Sequence, residues 1–249
     1  MERLLRTVIG KETKNTQIES SKSENGKYSP NSLQKSIDSF LEKESNSKRF
    51  KKISGFHPSQ HSTCKRYWYL LFKGADSEKK IPARLQRIFD NGNEVHARWR
   101  EYFRAMGILI EAEVPISIDN PVPIRGNADG ILKWGGRKLY ELKSISPERF
   151  EFRRVYNKPD AKTYRQTQLY LHATGLDNGF VIYENKGNQE VLIFEIKLDE
   201  EFIKKEFRRL KMYYKYVDED KLPKRPYIRE SQQCGDCELE NYCWDSLED

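Results

Sequence analysis

Hydrophobic positions along the chain follow a helical period in some segments and a strand period in others. Apolar residues that recur every three or four positions predict helices over 83–106, 161–174 and 199–217, and a shorter amphipathic helix over 32–44. Gly92 is expected to weaken or bend the first of these helices, and Gly175 to end the second. Asp199 supplies a capping carboxylate for the third.

Strand-like segments lie between these helices. Apolar runs predict a strand around 108–118, two strands at 127–132 and 139–143 joined by a turn at Gly135-Gly136, and a hairpin of 180–183 with 191–194. The resulting order is helix, three strands, helix, two strands, helix. This order predicts an α/β fold in which helices flank a mixed central sheet.

Composition changes along the chain and indicates how it is organised. Residues 11 to about 30 are dominated by Lys, Glu, Ser, Thr and Asn, with too few apolar side chains to offset the entropy of ordering them. We therefore expect a polar, partly disordered segment over 1–55 and a folded domain over 56–230. A Cys-rich tail over 231–249 closes the chain.

The composition also bounds the class of protein. Hydrophobic residues make up 37% and charged residues 33% of the 249 positions. No stretch approaches the roughly 20 apolar residues of a membrane span, and the N-terminal apolar stretch is too short for a secretory signal. We therefore expect an intracellular, cytoplasmic protein. The net charge of +7 favours a polyanionic partner without requiring one.

Three charged residues stand out within the two strands that Gly135-Gly136 joins. Side chains alternate along a strand, so Glu141 and Lys143 project from one face. Together with Asp129, Glu141 supplies hard oxygen ligands for an ion such as Mg²⁺ or Mn²⁺, and Lys143 adds a cation beside them. This combination suits metal-assisted hydrolysis of a phosphodiester. The alternative is an exposed hairpin with a chance ion pair.

Four cysteines form a second pattern. Cys234, Cys237 and Cys243 have C-x2-C-x5-C spacing in the tail, and Cys64 lies far upstream. Four thiolates suit zinc or an iron–sulfur cluster, and the spacing does not separate the two. Either group would tie the tail to the start of the domain, whereas disulfides are disfavoured because nothing marks the chain as secreted. The alternative is three unrelated tail thiols and a buried Cys64.

A basic and aromatic segment follows residue 143. Its cations are candidate DNA contacts: Arg153, Arg154, Lys158, Lys162 and Arg165. They are interleaved with Phe150, Phe152, Tyr156 and Tyr164. Cations can follow phosphates while aromatic rings stack on unpaired bases. The alternative is a segment that covers a core and solubilises a loop.

These blocks, taken in order, resemble the RecB-like branch of the PD-(D/E)xK nuclease superfamily. The closer resemblance is to its iron–sulfur group, which includes the CRISPR-associated exonucleases and the AddB nuclease domain. The resemblance depends on Cys64, residues 92–96, 126–130, 140–144 and 166–170, and the three tail cysteines. One departure is Ala128, which precedes Asp129 where the superfamily's name has proline.

The resemblance implies a restriction-endonuclease-like fold and gives the charged residues roles. His96, Asp129 and Glu141 would hold the divalent ion, with the Leu142 carbonyl as a further ligand. Lys143 would orient or help deprotonate the attacking water and stabilise the developing charge. A histidine packed against its helix neighbours is the alternative for His96.

Roles for the remaining blocks also follow from the resemblance. Gln166 and Tyr170, four residues apart on a helix, would steady the active site or the DNA backbone. An ordinary polar helix face is the alternative for this pair. Cys64 and the tail cysteines would hold an iron–sulfur cluster of the 4Fe-4S type, with zinc as the alternative.

The function that the resemblance implies is that of a metal-dependent DNA exonuclease, with single-strand endonuclease activity as a further possibility. Its DNA would be single-stranded or carry free ends. It would act in recombination, repair, phage DNA metabolism or CRISPR-type processing in a prokaryotic or viral host cell, with partner proteins from those systems. The alternative is a non-catalytic DNA-binding subunit, which the intact Asp129, Glu141 and Lys143 argue against.

Overall fold

A computed structural model gives the structure of the chain and describes residues 28–47, 52–75, 81–245 and 247. The disorder predicted for residues 11 to about 30 lies outside these residues, apart from 28–30, and so does the N-terminal apolar stretch. Across the described residues, none of the helices has the length and apolar character needed to cross a membrane.

The described residues form helices and strands in the order that the sequence pattern predicts, with additional helices. The helices are α1 Pro30–Ser47, α2 Lys65–Lys73, α3 Ala83–Ala105, α4 Pro147–Tyr156, α5 Ala161–Thr174, α6 Glu200–Asp218, α7 Gln232–Gly235 and α8 Glu240–Asp245. The strands are β1 Leu109–Ile118, β2 Ile124–Lys133, β3 Arg137–Ile145, β4 Asn178–Asn185 and β5 Val191–Lys197. Helix α3 continues through Gly92 as one helix, and the weakening or bend predicted at that residue stays a prediction.

The five strands form one mixed sheet in the order β1-β2-β3-β4-β5. Strands β3 and β4 are parallel, and the other neighbouring pairs are antiparallel. A parallel pair needs a long crossover, and α4 with α5 provides it. The predicted α/β fold with a mixed central sheet and flanking helices is therefore confirmed, and β3 is its middle strand.

Side-chain alternation along β3 divides its residues between the two faces of the sheet. Tyr140 and Leu142 belong to a small buried cluster with Val95 and Phe103 of α3. Leu139 belongs to the main core, which α2, α5 and α6 cover on the opposite face. Because alternate residues share a face, Glu141 and Lys143 lie on the side of the sheet that α5 covers.

Helix α4 lies in the basic and aromatic segment, where the sequence pattern predicts no helix. The Ser146 side chain accepts a hydrogen bond from the Arg149 amide at 3.5 Å, and Pro147 occupies the first turn. Asn157 ends the helix in the left-handed conformation, with φ 46°. Phe150 is its buried residue, whereas the other large apolar side chains, Phe152, Val155 and Tyr156, are exposed.

Candidate active site

Strands β2 and β3 bring two of the predicted site residues together where their pairing ends. The pairing begins where Lys133 of β2 lies opposite Arg137 of β3, and it ends where Gly130 lies opposite Tyr140. Beyond the last pair, the Leu142 amide donates a hydrogen bond to Oδ2 of Asp129 at 2.7 Å. The carboxylate therefore takes the place of a strand carbonyl, which fixes its position beside Glu141.

A glycine next to this carboxylate permits the strands to approach closely. A Cβ atom at Gly130 would lie 2.5 Å from the main-chain oxygen of Glu111 and 2.5 Å from the Tyr140 ring. Any side chain at this position would push β2 away from both of its neighbours. The backbone on which Asp129 is held thus depends on the absence of a side chain at the following residue.

Glu141 and Lys143 form a close ion pair on the side of β3 that faces α5. The Lys143 Nζ lies 2.5 Å from Oε1 of Glu141, whose side chain is 1% exposed. Burial and the neighbouring Asp129 raise the pKa of Glu141, and Lys143 opposes them. Burial lowers the pKa of Lys143, but the two carboxylates raise it more, so that the net shift is upward and the ammonium stays charged.

His96 approaches the same carboxylate from α3. Its Nδ1 lies 3.3 Å from Oδ1 of Asp129. Burial lowers the pKa of His96, but the hydrogen bond and charge of Asp129 raise it, and the net shift is upward. The histidine therefore contacts the predicted site and is not simply packed against its own helix.

Helix α5 covers the site with the other two predicted residues. Gln166 and Tyr170 are both buried and lie four residues apart on α5, on one face of the helix. That hydroxyl lies against β2, because a Cβ atom at Gly126 would be 3.2 Å from it. Burial raises the pKa of Tyr170, so its hydroxyl is neutral near pH 7.

Two cavities meet at these residues. The first, which we name the cleft, has a volume of about 600 Å³ and includes Asp129, Glu141, Lys143, Gln166 and Tyr170 in its lining. The second, which we name the basic cavity, has a volume of about 530 Å³ and is lined by Ser59, Lys143, Ser144, Ile145, Arg149, Arg153, Asp160, Lys162, Thr163, Gln166 and Tyr183. Lys143, Gln166 and Ser59 line both cavities, so the two adjoin.

The predicted DNA contacts separate into three environments. Arg153 and Lys162 line the basic cavity. Lys158 is exposed, and Arg154 is exposed and paired with Glu190 and Glu151. The structure brings only two of the five side chains to the cavity beside the cleft.

Arg165, the fifth predicted contact, is a buried structural residue. It is 3% exposed, and its Nε lies 2.6 Å from Oε1 of Glu206. Its Nη1 donates hydrogen bonds to the main-chain oxygens of Pro58 at 3.2 Å and Gln60 at 3.0 Å. The side chain therefore holds the 58–60 segment, which carries Ser59, and does not reach the surface where DNA would lie.

The four cysteines line one cavity of about 440 Å³, together with His61 and Tyr67. All four are free thiols and half-buried. The Cys64 sulfur also caps α2 by accepting a hydrogen bond from the Tyr67 amide at 3.4 Å. Burial raises the pKa of Cys64, and it raises the pKa of Cys237 to about 11. In the absence of a cation the Cys64 and Cys237 thiols are therefore neutral near pH 7.

The described residues form a metal site neither at the cleft nor at the cavity lined by the four cysteines. Within residues 28–47, 52–75, 81–245 and 247, no group of three or more His, Cys, Asp or Glu side chains is arranged to hold a metal ion. The expectation of a four-cysteine cluster joining the tail to the domain start is therefore not shown. What the structure shows is that the tail packs on the core, with Leu239 1% exposed.

Three residues at or near the site are not among the residues predicted for it. Ser59 lines both cavities, and Asp160 lines the basic cavity. Glu113 adopts a positive φ of 53° in β1 and pairs with Arg100 near His96. Only Asp160 has a local signature, since a carboxylate directly before a predicted helix is a typical N-cap. The other two reach the site through tertiary contacts that residue spacing does not encode.

Comparison with known proteins identifies a shared fold. No protein-family model and no curated protein matches the chain. Among solved structures, the protein SSO0001 matches with a TM-score of 0.53 and 17% sequence identity, over 84% of this chain and 96% of its own. At that identity the likeness shows the fold alone.

Two exonucleases match with lower TM-scores. The alkaline exonuclease LHK-Exo from Laribacter hongkongensis has a TM-score of 0.48 and 15% identity, over 68% of this chain and 90% of its own. A phage-related exonuclease from Haemophilus somnus 129PT has a TM-score of 0.45 and 13% identity, over 62% of this chain and 79% of its own. Scores at this level support no conclusion about the activity of this chain.

Proposed function

We propose that this chain is a metal-dependent DNA nuclease of the PD-(D/E)xK type, acting as an exonuclease with single-strand endonuclease activity as a second mode. The observation that carries the proposal is the convergence of Asp129, Glu141 and Lys143 on one cleft that adjoins the basic cavity. A chance ion pair on an exposed hairpin would be solvated, whereas Glu141 is 1% exposed and its carboxylate is held beside a second one.

The residues of the cleft fit a hard divalent ion, Mg²⁺ or Mn²⁺, by the chemistry of their donor atoms. Oε2 of Glu141 is buried and has no hydrogen-bond partner, which is costly for a carboxylate oxygen unless a ligand satisfies it. The ion would be held by Asp129 and Glu141 of the cleft, by the Leu142 carbonyl, and by His96, which lines a neighbouring cavity together with Asp129. When bound, such an ion lowers the pKa of a water molecule and screens the phosphate charge.

Lys143 supplies the fixed positive charge of the mechanism. Its ammonium lies 2.5 Å from Glu141 and lines both cavities, so it faces the point at which a phosphate passes from one to the other. Its pKa is raised, so it keeps its proton and can donate to an oxygen on which negative charge develops. We assign Lys143 the orientation of the attacking water and the stabilisation of that charge.

Gln166 and Tyr170 keep the cleft in shape and offer polar groups to the DNA backbone. Both are buried residues of α5, and the Tyr170 hydroxyl also lies against Gly126 of β2. They therefore connect α5 to the strand that carries Asp129. A substitution that loosened this contact would let the carboxylate move relative to Lys143.

The basic cavity provides the path for the DNA backbone. Lys143, Arg149, Arg153 and Lys162 line it, against a single carboxylate from Asp160. Cations placed in this way attract phosphates whatever the base sequence. Cleavage should then depend on strand ends or on unpaired strands, and not on base sequence. Lys158 and Arg154 lie farther out on the surface, where they would contribute to long-range attraction only.

We also propose that Cys64, Cys234, Cys237 and Cys243 hold an iron–sulfur cluster of the 4Fe-4S type, with zinc as the alternative. Four sulfur donors around one cavity support the proposal, and a bound cation would lower the raised pKa values of Cys64 and Cys237. The role would be structural, because the cavity is lined by the tail and by α2. Recombination, repair, phage DNA metabolism and CRISPR-type processing are the proposed settings.

The decisive experiment compares hydrolysis and binding in matched variants. End-labelled single-stranded and duplex DNA is incubated with Mg²⁺ or Mn²⁺ and with wild type, Lys143→Ala or Glu141→Gln. Lys138→Ala is the control, since Lys138 also lies on β3 and pairs with a carboxylate, that of Glu195. Wild type and the control should degrade DNA, and the two site variants should lose activity by a factor of 100 or more, on the order of what one charged catalytic group provides.

The binding arm separates the nuclease from its alternative. Glu141→Gln should keep DNA affinity, because it removes a carboxylate and no cation. If the wild-type chain leaves DNA intact with both metal ions but retards it on a gel as strongly as the variants do, a non-catalytic DNA-binding subunit replaces the nuclease. The product ladder of an active protein would give the polarity of degradation.

A further inference from the structure

Helix α4 presents a mixed face of cations and rings beside the basic cavity. Arg149, Phe152, Arg153 and Tyr156 are spaced i, i+3, i+4 and i+7, so they fall within an arc of about 100° on one side of the helix. Two members of the set, Arg149 and Arg153, line the cavity. Phe152 and Tyr156 do not line the cavity themselves, but they share this face of the helix with the two arginines and are therefore placed beside it.

The two rings are unusually exposed for a packed pair. Their centroids lie 4.3 Å apart with an interplanar angle of 37°, while Phe152 remains 52% and Tyr156 54% exposed. The Arg153 guanidinium lies over the Phe152 ring at 4.9 Å from its centroid. Arg153 thus contacts both the cavity and the ring pair. An apolar pair that served only the fold would be expected to turn toward the core, as Phe150 does at 0% exposure.

A partner for this surface must suit both features. The cations would bind a polyanion. The exposed ring faces would bind flat, apolar groups that recur along the partner as often as its negative charges do. An unpaired nucleic-acid strand has both, because each nucleotide carries one phosphate and one base with a free face. A paired duplex has the phosphates but keeps its bases stacked inside, out of reach of side chains on a rim.

We propose that Phe152 and Tyr156 form a stacking platform for one or two unpaired bases of a DNA strand whose phosphates occupy the basic cavity. The proposal rests on the nuclease function above and narrows it to a substrate class: single strands, frayed ends and flaps. An intact duplex would have to unpair its end before it engaged the platform. The strand would then pass from the platform through the basic cavity to the cleft at Lys143.

Binding without metal tests the platform apart from catalysis. Full-length protein is titrated, in a chelating buffer, into a labelled single strand of mixed sequence, an abasic strand of the same length, and a blunt duplex. The variants are Phe152→Leu with Tyr156→Leu, which keeps apolar side chains suited to a helix, and the same pair changed to Ala. Val155→Ala is the matched control, because Val155 is 77% exposed on the same helix and lies outside the mixed face.

Both double variants should bind the single strand about tenfold more weakly than wild type, the loss expected when stacking by one to two bases is removed. Their affinity for the abasic strand and the duplex should stay within about twofold of wild type, and Val155→Ala should match wild type throughout. Unchanged thermal unfolding of the Leu pair would show that the fold is intact.

Three results would overturn the platform. One is single-strand affinity in the Leu pair equal to that of wild type. The second is an equal loss on the abasic strand, which would mean that the rings act through phosphate contacts. The third is an equal loss on the duplex. If the wild type binds as expected but cleaves nothing with Mg²⁺ or Mn²⁺, the nuclease proposal fails while the platform stands.

Discussion

Oδ2 of Asp129 accepts a hydrogen bond from the main-chain amide of Leu142 at 2.7 Å, and this contact ties the two strands that carry the candidate site. The other oxygen of the same carboxylate lies 3.3 Å from Nδ1 of His96 on α3. One side chain thus connects β2, β3 and the helix behind them. Substitutions can separate its role in the fold from its role in chemistry. The fold needs an oxygen that accepts the hydrogen bond from the Leu142 amide, and the chemistry needs the negative charge of the carboxylate.

Asp129→Asn should abolish hydrolysis and leave the fold intact. An amide oxygen can still accept the hydrogen bond from Leu142, but it adds no negative charge to the cleft. Asp129→Ala should lose activity and also lower the free energy of unfolding by about 1–3 kcal/mol, since it leaves a buried N–H without an acceptor. Activity assays with chemical denaturation of both variants check this. Equal destabilisation by the two changes would contradict it.

Arg153 and Arg165 are both predicted DNA contacts, but we expect substitutions at the two positions to have different effects. Replacing Arg165 should lower stability, and replacing Arg153 should weaken DNA binding. Arg165→Met should lower the free energy of unfolding by about 3 kcal/mol, because it leaves the 7% exposed Glu206 with Arg209 as its remaining partner. Arg153→Ala should change the free energy of unfolding by no more than about 0.5 kcal/mol. It should reduce the slope of log DNA affinity against log salt concentration by about one, the change expected for one lost phosphate contact. Denaturation curves and binding across salt concentrations measure both effects. The reverse assignment would show that our placement of Arg165 is wrong.

Gly126→Ala should strain the contact between β2 and α5. The new methyl group would lie 3.2 Å from the Tyr170 hydroxyl and 3.3 Å from Cδ of Pro58, so one of them must shift. We expect a loss of about 1 kcal/mol in stability and reduced hydrolysis. In a Tyr170→Phe background the cost should be smaller by about 0.5 kcal/mol, because the hydroxyl is gone. Strict additivity of the two changes would indicate that the hydroxyl is not the obstacle.

Asp160 should make the protein more stable at neutral pH than in acid. Burial raises the pKa of Asp160. Hydrogen bonds from Thr163 and Tyr183 lower it by a larger amount, so the net shift is downward. A folded-state pKa below the unfolded one stabilises the fold above the unfolded pKa, and this stability is lost as the pH falls through the folded pKa. Below about pH 4 the free energy of unfolding should therefore fall more steeply in wild type than in Asp160→Asn.

The asparagine variant is a suitable comparison because it keeps the N-cap of α5 and removes only the charge. At pH 7, Asp160→Ala should cost about 1 kcal/mol through the lost cap. Denaturation at a series of pH values tests both statements. Parallel acid profiles for wild type and Asp160→Asn would show that Asp160 does not contribute.

Anaerobic purification should yield protein with visible absorption, iron and acid-labile sulfide if the four cysteines hold a cluster. Cys64→Ser and Cys243→Ser should each lose the chromophore and lower the melting temperature, because the tail would no longer be tied to α2. Gln233→Ala is the control, since Gln233 lines the same cavity without a thiol. Colourless protein with bound zinc would favour the alternative metal. Protein with neither metal would leave the cysteines as unrelated thiols.

The sequence by itself determined the elements whose signals are local. Helix α5 begins and ends where its periodicity and Gly175 place it, and α6 begins after the Asp199 cap. The turn at Gly135-Gly136 joins β2 to β3 as expected. Alternation along β3 put Glu141 and Lys143 on one face without any knowledge of the rest of the chain. Such features depend on neighbours within a few residues, which the sequence lists directly.

Tertiary structure alone decided which of the charged residues belong to the site. Arg153 and Arg165 are both cations in one basic segment, yet the first lines a cavity and the second is buried against Glu206. Helix α4 turns one face to the basic cavity and another to the core. Helix α5 turns Arg165 toward Glu206 of α6, which is 41 residues farther along the chain. Burial of a charge depends on a distant partner that desolvates and neutralises it, so composition and spacing carry no record of it.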